Sequence, residues 1–237
     1  MLNIKKIKAI TLDLDDTLWP VWPAIERAEK ALSQWMAQHA PMAAALFIDA
    51  AVRDDIRRHV LRTRPELKHN MSSVRREAIR VALYRANENP LLAEQAFDVF
   101  FAARNQVELY DDALLALEYL SARFPLVALS NGNADIQRIG IGHYFKASIN
   151  AQEFGAGKPD PRIFEAAASL ANVSAADVLH IGDDADLDVM GALNAGMQAA
   201  WLNREDKPWT HEQGPHIAVS NLGSLCDFLG AEQGVST

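Results

Sequence analysis

From residue 113 onward the chain alternates helix and strand, and that alternation constrains its fold more than any other feature. Helical spacing runs over 113–122, 134–139, 161–171, 186–195 and 222–229. Short runs that read as strands fill 125–129, 147–150, 178–182, 197–202 and 217–220. Strands separated by helices cannot close as hairpins, so each crosses over to lie parallel to its neighbour. The pattern predicts a doubly wound α/β domain built on a parallel sheet. One further strand, over 7–12, stands far upstream. Between it and the alternating region the apolar residues keep helical spacing, as in Ile25, Ala28, Leu32 and Met36 or Leu92, Ala96, Phe100 and Ala103, and no good strand occurs. The expected organisation is an α/β core made of 1–18 and 106–237, interrupted after its first strand by an all-helical insert over 19–105. Residues 231–237 read as a frayed tail.

With 49% hydrophobic and 23% charged residues in 237, a sizeable packed core is attainable. The net charge of −8 excludes a general nucleic-acid coat, which needs an excess of Lys and Arg. A single cysteine, Cys226, allows no intramolecular disulfide and fits a reducing compartment. No run approaches the ~18 apolar residues of a membrane span. The apolar run at 7–14 is too short for a signal peptide and carries Asp13. The expectation is a cytoplasmic protein with neither membrane nor nucleic-acid partner, monomeric or homodimeric. Residues 53–85 carry net +6 against −14 for the remainder. Either they form a solvated helical face, or they draw anionic substrates.

In open α/β sheets the working residues lie beyond the carboxyl ends of the strands, and the polar residues of this chain gather there. The first strand delivers Asp13 and Asp15, the strand at 125–129 delivers Ser130, Asn131 and Gly132, and the strand at 178–182 delivers Asp183, with Asp188 following. Lys158 lies in the loop Gly155-Ala156-Gly157-Lys158-Pro159. Clustered carboxylates repel one another, and a hard divalent cation such as Mg2+ is the simplest remedy. A phosphate ester meeting a carboxylate nucleophile also needs charge neutralisation, which a metal and Lys158 would supply. In that chemistry Asp13 attacks phosphorus, while Asp15, on the same side of an extended backbone, works as acid and then base. The Ser130 hydroxyl and the N–H groups after it would hold phosphate oxygens.

These four groups, in this order, resemble the motifs of the haloacid dehalogenase superfamily of phosphatases, over about residues 7–229. The resemblance implies a Rossmann-like core with a helical type-one cap, and an aspartyl-phosphate mechanism on a small phosphate monoester. It implies Asp13 as nucleophile, Asp15 as acid/base and Lys158 as the lysine that pairs with nucleophile and phosphate. Thr17 and Ser130 match its phosphate-contacting hydroxyls. Its metal ligands would be Asp13, the Asp15 carbonyl and Asp183, with Asp188 a further carboxylate. A narrower likeness is carried by residues 125–134, by His180-Ile181-Gly182-Asp183-Asp184 and by Gly196-Met197-Gln198-Ala199-Ala200-Trp201. These are similar to bacterial phosphatases of flavin metabolism, which act on FMN and on 5-amino-6-(5-phospho-D-ribitylamino)uracil.

Other readings compete at particular positions. Asp16 and Asp184 stand beside better-placed carboxylates and read as caps, with a direct role as the alternative. His180 lies inside an apolar strand and reads as a satisfied core histidine. Trp19 and Trp22 either fill a hydrophobic hinge or wall the substrate site. A 2-haloacid dehalogenase would attack carbon with the same aspartate but has no use for Asp15 as an acid. A phosphosugar phosphatase or phosphomutase would share all four motifs. A phospho-aspartate signalling module would carry its aspartate on an interior strand of a shorter chain.

Overall fold

The computed structural model describes residues 1–231. The tail expected from residue 231 on therefore lies, past that residue, outside the described residues. The chain divides into two compact units, one made of Met1–Pro20 with the chain from Glu108 on, the other of Val21–Val107.

After a 3-10 turn at Ile4–Lys6 the first unit opens with β1 (Ala9–Leu12), shorter than the run of apolar residues that announces it. The second unit follows as five helices: α1 (Val21–His39), α2 (Pro41–Ile48), α3 (Ala50–Thr63), α4 (Met71–Arg85) and α5 (Leu92–Arg104). Along α1 the buried residues Ala24, Ala28, Leu32 and Met36 recur every fourth position, which lines them along one face. Ala28, Leu32 and Met36 join Phe97 and Phe100 of α5 in the core of this unit. Asp49 and Asn70 start α3 and α4 by accepting backbone N–H groups of their first turns.

The first unit resumes with α6 (Ala113–Ser121), β2 (Leu126–Ser130), α7 (Ile136–Ile139), β3 (Ala147–Asn150), α8 (Ala151–Phe154), α9 (Pro161–Ala171) and β4 (Val178–Gly182). A π-helical segment, Ala185–Met190, runs into α10 (Gly191–Asn194), and β5 (Gln198–Leu202), β6 (Ile217–Val219) and α11 (Leu222–Ala231) complete the chain. The six strands are parallel, in the order β3-β2-β1-β4-β5-β6. This is the doubly wound, Rossmann-like α/β sheet expected. Strands β1, β2, β4 and β5 are buried throughout, as strands covered on both faces must be, whereas the edge strands β3 and β6 are only partly covered. Ile163, Phe164 and Ala167 of α9 pack with Val127, Leu129 and Ala199 of the sheet. The Asp160 carboxylate and Pro161 start α9, and Asn172 ends it in the left-handed region at φ 63°.

Two departures from the expected elements matter. Helix α8 follows β3 directly, in a stretch that carries no helical periodicity long enough to read. The helix expected over 186–195 begins instead as a π-turn, because the backbone N–H groups of both Asp188 and Val189 reach the Asp184 carbonyl, at 3.0 and 3.1 Å. The stretch is too short for the resulting change of phase to show in its apolar spacing, so the sequence conceals it.

Candidate active site

The sheet order reverses between β1 and β4. The chain winds one way through β2 and β3 and the other way through β5 and β6, so a crevice opens beyond the carboxyl ends of the two central strands. Those ends deliver Asp13 and Asp183. The Asp13 backbone N–H donates to the Ile181 carbonyl at 2.9 Å, extending the ladder by one residue and fixing where its side chain leaves the sheet.

Lys158 Nζ donates to Asp13 Oδ1 and to Asp188 Oδ1, each at 2.5 Å, and all three side chains are buried. Thr17, fully buried, donates its hydroxyl toward Asp183 Oδ1 at 3.1 Å and lies 3.5 Å from Asp13 Oδ2. Asp13, Asp183 and Asp188 each offer an oxygen within 4.8 Å of the others, close enough for one cation. The donor set suits a hard divalent ion, and the charges favour one. Burial pushes the Asp13 carboxyl well above its ordinary range against the pull of Lys158, and the Asp188 and Asp183 charges add to the rise. Burial and the neighbouring Asp188 and Asp16 push Asp183 up to about 7. For Asp188 burial acts upward, but Lys158 and the His180 hydrogen bond outweigh it and hold the carboxyl below its ordinary range. Burial would lower Lys158, and the carboxylates of Asp13 and Asp188 more than reverse it.

The π-turn is what brings Asp188 inward. Its Oδ2 accepts the Asp184 N–H at 3.0 Å, and its Cγ lies 2.3 Å from where a Cβ on residue 182 would stand, so only glycine fits there. Asp184 caps this turn by accepting from the N–H groups of Asp186 and Leu187, at 2.9 and 2.8 Å. His180 is buried with both ring nitrogens partnered, Nδ1 with Thr11 Oγ1 at 2.8 Å and Nε2 with Asp188 Oδ1 at 3.1 Å. It is thus the satisfied core histidine expected, although one of its two bonds reaches the carboxylate cluster.

Around Ser130 the side chains are engaged with one another. The Gly132 N–H donates to Ser130 Oγ at 2.9 Å. Asn131 accepts the Lys158 N–H at 2.7 Å and donates to the Lys158 carbonyl at 2.9 Å, so its amide clamps the lysine loop. The Asp15 side chain is not part of the three-carboxylate cluster: its Oδ1 accepts the Trp19 indole N–H at 2.8 Å. Trp19 is fully buried, as the hydrophobic-hinge alternative expects, and its indole N–H holds the Asp15 carboxylate. Trp22, on α1, is 70% exposed. The Trp201 indole N–H, donating to the Asp183 carbonyl at 2.8 Å, fixes the backbone at that carboxylate. Nothing in an apolar strand such as β5 distinguishes it as a support of the site.

A sheet that gathers three carboxylates and a buried lysine at its switch point defines a hydrolase of one class, and the comparisons name it. Residues 7–196 match the family model for haloacid dehalogenase-like hydrolases, and the chain belongs to that family. Among its relatives is the 5-amino-6-(5-phospho-D-ribitylamino)uracil phosphatase YigB of Escherichia coli, 32% identical over 232 residues, covering 94% of this chain and 97% of the relative. The phosphoserine phosphatase of Thermus thermophilus is 34% identical over 154 residues, 62% of each chain. Among solved structures, the 2-haloacid dehalogenase from Pseudomonas syringae pv. Tomato DC3000 superposes with a TM-score of 0.90 at 37% identity, covering 96% of this chain and 99% of that one.

Proposed function

We propose that this phosphatase cleaves a small phosphate monoester through an aspartyl phosphate on Asp13, with magnesium as its metal. Its substrate is a ribityl phosphate joined to a planar ring, either FMN or 5-amino-6-(5-phospho-D-ribitylamino)uracil. The observation that carries the hydrolytic reading is the Lys158 ammonium set 2.5 Å from both Asp13 and Asp188 in a buried site, with Asp183 beside them. A carboxylate nucleophile and a phosphate ester repel each other, and this arrangement offsets the repulsion with a fixed positive charge. Asp13, Asp183 and Asp188 would hold the ion, joined by the Asp15 carbonyl that the family resemblance implies. When bound, magnesium adds the positive charge against which the transferring phosphoryl group is stabilised.

Asp13 attacks phosphorus with a carboxylate oxygen, and the bond from phosphorus to the ester oxygen breaks. Asp15, held at Oδ1 by Trp19, gives its proton to that oxygen as the alcohol leaves. Water then attacks phosphorus and passes a proton to Asp15, the bond to Asp13 breaks, and inorganic phosphate departs. Ser130 Oγ accepts the Gly132 N–H, which leaves the hydroxyl hydrogen to donate to a phosphate oxygen. Lys158 stays protonated throughout.

Support for the flavin-pathway substrate comes from the relative in Escherichia coli, which matches almost end to end, and from the motif likeness around Ser130 and Asp183. A dehalogenase is the second reading, favoured by the Pseudomonas syringae structure. Halide leaves without a proton, so that chemistry has no use for an acid at Asp15 and none for a metal among the carboxylates. The test compares kcat/KM for FMN, the ribitylaminouracil phosphate, ribose phosphate, glucose phosphate and 2-chloropropionate with magnesium present. The ring-bearing esters should lead. Equal or faster turnover of the plain sugars removes the flavin assignment, and halide release without phosphate release removes the phosphatase reading.

A further inference from the structure

The loop after β5 carries an arginine that no motif singles out. Arg204 Nη2 donates to the Thr17 carbonyl at 3.1 Å and to both oxygens of Asp112, at 3.0 and 3.2 Å. Its guanidinium lies over the Tyr110 ring, 3.9 Å from the ring centre. The two charged side chains are only 16% and 19% exposed. Asp112 is itself tied down, because its Oδ2 accepts the Leu222 N–H at the start of α11 at 2.6 Å. The Tyr110 N–H in turn donates to the Leu18 carbonyl at 2.9 Å. Two successive carbonyls of the loop after β1 are therefore gripped from one side, and the residue bearing the first is Thr17, whose hydroxyl bridges toward Asp183 and Asp13.

We propose that Arg204 is a positioning residue for the catalytic loop. Braced by Asp112 and Tyr110, it fixes the Thr17 backbone, so that the Thr17 hydroxyl keeps Asp13 and Asp183 in register. An exposed ion pair would do little of this. Here the two hydrogens of one nitrogen are shared among three acceptors while the planar group stacks on a ring. That combination suits arginine and not lysine, whose ammonium has no plane to stack.

This inference rests on the hydrolytic reading above, and the experiment keeps the two apart. Wild-type turnover of p-nitrophenyl phosphate with magnesium tests the reading; the ratio of variant to wild type tests Arg204. Full-length Arg204→Ala, Arg204→Lys and Asp112→Asn are compared, with Arg138→Ala as a surface control. Displacing a support of this kind costs about 10- to 100-fold in activity or metal affinity. The expected result is such a fall in kcat for Arg204→Ala, with KM within about threefold of wild type. Arg204→Lys should recover only part of it. Mn2+ titrated as a probe, which needs no turnover, should bind about tenfold more weakly to Arg204→Ala. Should Arg204→Ala fail to fold, Asp112→Asn, which keeps the shape and removes the brace, should show the same selective loss of kcat. Folded Arg204 or Asp112 variants with wild-type kcat and Mn2+ affinity overturn the proposal. A loss fully restored by Arg204→Lys also overturns it, because any cation would then suffice.

Discussion

Asp13 and Asp183 stand at the ends of the two central strands, with Lys158 bonded to Asp13 and Asp188, and the roles proposed for them can be tested one side chain at a time. Asp13→Asn keeps the size of the side chain but removes both the charge of the proposed nucleophile and a candidate ligand. Phosphate release should fall by several orders of magnitude while circular dichroism stays unchanged. Gly182→Ala should act indirectly: a methyl group 2.3 Å from Asp188 Cγ forces that carboxylate off Lys158. The expected result is at least about a tenfold loss of kcat, with a destabilisation of roughly 1–3 kcal/mol from overpacking, read by urea unfolding. Asp13, Ser130 and Asp183 were legible as candidates because each sits where a predicted strand ends, so their chemistry and their position agree; Lys158, in its loop, was picked out by the family resemblance. Arg204 was not, since it lies among Glu205, Asp206 and Lys207 and looks like a solvated charge run. Nor were the partners of Asn131 and Trp19. A long-range hydrogen bond to a backbone atom or a neighbouring carboxylate leaves no periodicity to read.

At the level of elements, strands β1, β2, β4 and β5 announced themselves as short apolar runs, and α9 through its helical spacing. The π-turn was hidden because the helical stretch that contains it is too short for a change of phase to be read from its apolar residues, and Asp188 lies buried within it. Helix α11 offers a separate check. It buries Leu222, Leu225, Cys226 and Leu229, and burial, with Asp227 adding to it, pushes the Cys226 thiol up to about 11. The thiolate is the reactive form. At mildly alkaline pH the folded protein should therefore react with iodoacetamide at least about tenfold more slowly than the urea-unfolded chain. Equal rates would mean that α11 does not cover the thiol.

For the whole molecule, a net charge of −8 sits alongside a buried focus of three carboxylates answered by one lysine. A divalent ion that binds the folded chain alone should stabilise it by mass action, by about 2.7 kcal/mol at a hundredfold excess over its dissociation constant. That corresponds to a rise of roughly 5–10 °C in the first thermal transition on adding magnesium. Asp183→Asn should abolish most of the rise, and an unchanged transition in the wild type would speak against a metal at this site. No helix among the described residues is long and apolar enough to cross a membrane. The sheet order has one more consequence, in time. β1 leaves the ribosome before the other strands of this sheet, and its partners β2 and β4 begin only at Leu126 and Val178, beyond the five helices of the second unit. At about 5–20 residues per second, Asp13 is made roughly 10–35 s before Asp188. During that interval Val21–Val107, which has a core of its own, can fold, while an apolar strand with two bare edges stays open to chaperones or to misplaced pairing.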